Sequence, residues 1–218
     1  MERYLAIIKN RSAQYLLVAA FPARMAYGMI SLAIYFKVQQ TSGSIALAGL
    51  AAGVNGVAGA TTAGLRASVV DRIGMQIPLR VLAPSYAALI VFFSTAETNF
   101  QLVLFAFILG FTAPPINLSV RPLWKITVPP DQIRIAYSLD TAVMNSVEVF
   151  GPLASTSISL AHGADSALRI SASLMFIGGI ALSFSSRTKK WRPEKKSKSD
   201  LPVWRVPAMR LMMLRSEE

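Results

Sequence analysis

Cysteine is absent from this sequence of 218 residues, and histidine occurs once, at His162. Without thiols there is no disulfide framework, no thiolate nucleophile and no Cys/His zinc site. A single imidazole with no second ligand type beside it does not make a metal site, so His162 reads as a loop residue at a membrane surface. No stretch resembles a phosphate-binding loop, which speaks against ATP hydrolysis. Charge is scarce as well: 15% of residues are charged, 53% are apolar and the mean hydropathy is +0.47. A soluble domain of this length needs far more charge to cover its surface.

The charges that remain are clustered. None lies between Val38 and Leu65 or between Ile170 and Ser186, and Glu97 is alone between Val81 and Val120. A charge-free run of about 18 or more residues is long enough to cross the hydrocarbon as a helix. A soluble helix of that length would carry a polar face. The fold class that follows is an all-α membrane protein, a bundle of six transmembrane helices. The spans are placed near Gln14–Phe36, Ile45–Leu65, Pro78–Ala96, Gln101–Val120, Ile135–Ala161 and Ser166–Ser186. Residues 1–13 then form an N-terminal segment, 14–186 the bundle and 187–218 a basic tail. The first apolar segment carries Arg24 internally and more spans follow, so it reads as a span rather than a signal peptide.

Acidic residues number 11 against 22 basic ones, for a net charge of +11. Nucleic-acid binding would want a basic face on a folded domain. Here the basic residues sit between apolar spans and in the tail, the pattern of topogenic charge that also attracts anionic headgroups. The lipid bilayer is therefore the expected partner, and nucleic acid is not. Nineteen Lys and Arg residues lie in the N-terminal segment, the second connection with the start of span three, the fourth connection and the tail. Two, Lys37 and Arg169, lie on the other side. Cytoplasmic loops carry the positive excess, so both termini are expected in the cytoplasm.

Span two is rich in small residues. Gly49 with Gly53, and Gly56 with Ala60 and Gly64, are spaced by four, which places each set along one helix face where a neighbouring backbone can approach. The expectation is close helix packing within the bundle. Between spans two and three, Gly64 to Gln76 reads Gly-Leu-Arg-Ala-Ser-Val-Val-Asp-Arg-Ile-Gly-Met-Gln. With Asp71, Arg72 and Gly74 on the cytoplasmic side, this resembles the loop signature of the major facilitator superfamily. Ala67 stands where glycine is usual, and Met75 and Gln76 stand where basic residues are usual. In span five, Gly151-Pro152 followed by Ser155 and Thr156 is similar to the Gly-Pro motif of exporters in that superfamily. In span four Ala106 precedes Gly110 where an arginine is often found, which counts against proton-coupled drug antiport.

The resemblance is to the six-span N-terminal half of bacterial facilitator exporters and covers roughly 14–186, with 189–218 resembling the linker between halves. It implies a secondary transporter of the plasma membrane working by alternating access, with no cofactor and no enzymatic activity, exporting a small organic solute. Family members usually have two six-span halves with substrate between them. A lone half would be completed by a homodimer or by a second six-span chain. The alternatives are an inactive remnant or a non-transporting accessory or assembly subunit. By resemblance, Asp71 and Arg72 form a gating loop whose partner lies on the other half.

Several polar residues fall at membrane depth. Counting about 1.5 Å per residue from the cytoplasmic end, Arg24 lies roughly 15 Å deep and Glu148 roughly 17–20 Å deep. Asn55 is near the middle of span two. An ionisable group there costs several kcal/mol, an order-of-magnitude figure, unless it is paired or faces water. Arg24 and Glu148 are therefore expected to pair, with Asn55 or Asn145 nearby, either as a substrate-coupling pair or as a structural one. Asp140 lies roughly 12 Å nearer the cytoplasm and is expected to latch onto Arg72 or Arg121. Pro22, the Pro114-Pro115 pair and Gly151-Pro152 are expected to bend their helices.

Overall fold

The computed structural model describes residues 7–185, 188, 189 and 191. Among these there is no strand. Helix α1 (Arg11–Ser42) begins where the Asn10 side chain accepts the Ser12 amide at 2.9 Å, satisfying one of the unpaired first-turn donors. Helix α2 (Ile45–Ile73) follows after two residues, capped by the Ser44 hydroxyl on the Leu47 amide. Then come α3 (Gln76–Ser94), α4 (Asn99–Thr112), α5 (Ile116–Trp124), a 3-10 turn (Pro130–Gln132), α6 (Ile133–His162) and α7 (Ala164–Ser183). A capping box between Thr98 and Gln101 opens α4.

Two of the expected connections are largely helical. Arg66–Ile73, assigned from the sequence to a loop, is the last two turns of α2. Gly74 stops that helix with φ 84°, a conformation that favours glycine, while its amide bonds the Val70 carbonyl at 2.9 Å. Arg121–Trp124 likewise belongs to α5. Five helical segments are long and apolar enough to cross a membrane: Arg11–Ser42, Ile45–Ile73, Gln76–Ser94, Asn99–Trp124 and Ala164–Ser183. Helix α6, at 30 residues, is about 45 Å long and could span as well. Its most apolar stretch is more polar than theirs because it carries Asp140, Asn145, Glu148 and the hydroxyls from Ser155 to Ser159.

Helix α1 is the axis of the bundle. It packs most extensively on α7 and also on α6 and α2, while α7 continues onto α3, and α2 pairs with α4. Small residues make four of these crossings, all but that of α1 with α2. A Cβ on Gly151 would lie 2.6 Å from the Gly28 backbone, so α1 and α6 touch main chain to main chain. Gly178 meets Ala23, Gly179 meets Ala83, and Gly110 meets Asn55 and Ala58 in the same manner. Close approach of this kind lets dispersion act over many atoms in a medium where apolar burial alone gives helices no reason to associate.

The glycine row of α2 does not behave as expected. Beside Gly49, Gly53, Gly56 and Gly64 there is nothing within 4 Å of a built Cβ, and of the helix's glycines Gly59 alone touches a neighbour, at 3.6 Å. The reason is rotational. Helix α2 turns Ala48, Ala51, Ala58 and Thr62 inward, so Gly49, Gly53, Gly56 and Gly64 face open space rather than a neighbouring helix. Of the basic tail, 187–218, only residues 188, 189 and 191 are among the described residues.

Candidate functional site

The buried stripe of α6 runs through Ala136, Asp140, Val147, Gly151, Ser155 and Ser159, steps of four and seven that keep one face toward α1. Contact between Gly28 and Gly151 sets the register of α1 against α6. Arg24 sits one turn nearer the N-terminus of α1 than Gly28, and a helical side chain leans further in that direction. Its guanidinium therefore reaches the level of Asp140, where Nη1 lies 2.8 Å from Oδ1. Both side chains are almost wholly enclosed, at 2% and 3% exposure.

The expected Arg24–Glu148 pair does not form, and Asp140 is not a latch on Arg72 or Arg121. Glu148 is one residue off the inward stripe, which turns it about 100° away from α1. Arg121 lies over the Tyr137 ring at 5.5 Å instead, and Arg72 is exposed in the last turn of α2. The Arg24–Asp140 contact is close but poorly aligned, since none of the three guanidinium nitrogens meets the angular requirements of a hydrogen bond. It is a charge pair sealed between two helices.

Glu148 is exposed and lines a cavity of about 180 Å³ with Arg24, Tyr27, Gly28, Asn117 and Met144. No cation among the described residues pairs with it. Tyr27 and Asn117 also border a larger space of about 420 Å³, bounded by Asn55, Arg66, Tyr86 and the α4–α5 junction. Asn55 turns its amide nitrogen to the Ala106 carbonyl at 3.0 Å, which ties α2 to α4. Asn145 is exposed and lines neither space.

The junction itself is a true break. Ala113, preceding proline, is forced to an extended ψ of 125°, ending α4 before α5 starts at Ile116. Proline has no amide hydrogen, so Pro114 and Pro115 withhold the donors that the carbonyls of Gly110 and Phe111 would receive in a continuous helix. Arg66 supplies them. Its Nη1 donates to Gly110 at 3.1 Å and lies 3.4 Å from the Phe111 oxygen, while Nη2 donates to the Gly59 carbonyl at 2.7 Å. The Thr62 hydroxyl also accepts from Nη1, at 2.8 Å, and the Tyr27 hydroxyl donates to the Pro114 carbonyl.

Pro22 and Pro152 remain inside unbroken helices, so neither breaks its span, and Gly151 is a contact point with α1. Asp71 and Arg72 are exposed beside Gly74, with no ion pair among the described residues. At the opposite end Lys37 pairs with Asp165 at 3.0 Å, and Gln40 accepts the Ala164 amide while donating to the Ser159 carbonyl. Arg66, Tyr27, Tyr86 and Asn117 were not singled out from the sequence. Arg66 could have been found: two adjacent prolines at membrane depth leave two carbonyls that require a donor.

No group of three or more His, Cys, Asp or Glu residues that could hold a metal occurs among the described residues. No curated protein and no solved structure matches the chain. The model of the Major Facilitator Superfamily matches residues 16–216, nearly the whole sequence. That match agrees with the helical membrane bundle, the Asp71-Arg72-x-Gly74 turn closing α2 and the Gly151-Pro152 pair on α6. The chain belongs to the Major Facilitator Superfamily and is a multi-pass membrane transporter of that family.

Proposed function

We propose that this chain is one six-span half of a secondary transporter of the plasma membrane, exporting a small organic solute by rocking alternating access with both termini in the cytoplasm. The observation that carries this reading is the pair of adjoining cavities, about 180 and 420 Å³, bordered by α1, α2, α6 and the α4–α5 break. Neither space is fully enclosed by the described residues. The empty glycine row of α2 supports the same reading, because a second six-span unit could approach that helix closely. Helix α6 completes the six as the fifth span in chain order, its polar residues facing the cavity and the facing half rather than lipid.

In this reading Arg24–Asp140 is a structural lock between α1 and α6, and Glu148 and Asn55 border the solute path. Asp71 and Arg72 gate the cytoplasmic side by meeting a helix end on the other half, where a carboxylate favours an N-terminus. The second half is a homodimer partner or a further six-span chain. The test is reconstitution in proteoliposomes, alone and with the product of an adjoining reading frame, followed by counterflow of a panel of labelled solutes. Saturable exchange without ATP supports the reading. A properly folded protein that assembles with a partner yet moves no solute would make it a non-transporting accessory subunit.

A further inference from the structure

Resting on the transporter reading, the charges around the cavity narrow the solute class, and we infer that the site takes an organic cation with Glu148 as its counter-ion. Four charged side chains border or approach the two spaces: Arg24, Arg66, Asp140 and Glu148. Arg24 is neutralised by Asp140 at 2.8 Å, and its nitrogens are closed off from solvent-sized contact. Arg66 spends its donors on the carbonyls of Gly59, Gly110 and Phe111 and on the Thr62 hydroxyl. Its charge faces the negative end of α4, which helix dipoles favour. It borders the larger space only.

Glu148 is different. It is exposed on the smaller cavity, no described cation pairs with it, and it lies near the middle of a 30-residue helix. A lone carboxylate at that depth is costly unless a counter-charge or water meets it. Around it stand Tyr27, Met144 and Val147, with the Asn117 amide at the seam with the larger space and Arg24, held by Asp140, on the remaining wall. Aromatic and apolar walls about a single accessible carboxylate select a ligand whose positive charge is attached to apolar bulk. An anion would meet Glu148 with no guanidinium donor to compensate.

The experiment uses two probes of nearly the same shape and opposite charge, tetraphenylphosphonium and tetraphenylborate. Binding of each to the detergent-purified chain is measured by equilibrium dialysis, for wild type, Glu148→Gln and Glu148→Asp. The expected result is saturable binding of the phosphonium, weakened about tenfold or more by Glu148→Gln and less by Glu148→Asp. The borate should bind no more weakly to Glu148→Gln than to wild type. Because Glu148 is exposed, both variants should keep the wild-type melting temperature, which is checked by circular dichroism. Equal phosphonium affinity in wild type and Glu148→Gln, or tighter borate than phosphonium binding by wild type, overturns the inference. Flux is read separately. Glu148-dependent cation binding without counterflow would sink the transporter reading, whereas counterflow with charge-indifferent binding would sink this one.

Discussion

Removing Arg66 should destabilise the bundle mainly by orphaning the Gly110 carbonyl and leaving Phe111 with only the Thr62 hydroxyl at 3.4 Å, and the size of that effect can be worked from the geometry. Arg66→Met keeps most of the stem packing and removes the donors at 3.1 and 3.4 Å. A buried carbonyl left unsatisfied costs about 1–3 kcal/mol. Arg66 is half-buried and borders the larger cavity, so water can reach part of the vacated site, and a net loss of about 2–4 kcal/mol follows. For a chain of this size that corresponds to a melting temperature lower by roughly 5–15 °C. The diagnostic measurement is a double-mutant cycle. Pro114→Ala with Pro115→Ala restores the two amide donors, and in that background Arg66→Met should cost little, giving a coupling energy of about 1.5–3 kcal/mol. Melting of the four proteins in detergent, followed by circular dichroism, yields that number. Strict additivity, with coupling below about 0.5 kcal/mol, would show that Arg66 acts by something other than donating to those carbonyls.

Asp140→Asn leaves a buried guanidinium without its charge partner and should cost about 3–5 kcal/mol, whereas Arg24→Met with Asp140→Leu should recover much of the loss; melting temperatures and detergent-extracted yield report both. Gly151→Val drives a side chain into the Gly28 backbone, which is 2.6 Å from a built Cβ, and should prevent α1 and α6 from packing. Gly53→Val meets nothing within 4 Å and should melt within a few degrees of wild type, while abolishing co-purification with a second half if one docks there. The absence of cysteine makes topology directly measurable: a membrane-impermeant maleimide should label Gly163→Cys in intact cells and reach Lys195→Cys only after lysis. The reverse pattern would invert the assigned orientation.

The lesson of the site lies in Asp140 and Glu148. Depth counting from the helix rise brought Glu148 to the level of Arg24, but depth is only one of two coordinates. The other is rotation, and Asp140, Val147 and Gly151 already share a stripe by their spacing, with Glu148 off it. Two further things had to be known: that Gly151 meets Gly28, and that arginine leans toward its own helix start. The α2 glycines make the same point. Their four-residue spacing showed that they share a face, without showing which way the face turns.

The apolar runs, the clustering of basic charge between and after them and the Asp-Arg-x-Gly turn determined by themselves that this is a helical membrane bundle resembling a facilitator half. Those are properties of each segment against its solvent, since a helix in hydrocarbon must satisfy its backbone internally and needs about 20 apolar residues to cross. Only the tertiary structure decided which charges meet: Arg24 with Asp140, Arg66 with the carbonyls freed by Pro114 and Pro115, and Glu148 with none. A side chain's partner depends on the rotation and register of two packed helices, and those are set by small-residue contacts between segments far apart in sequence.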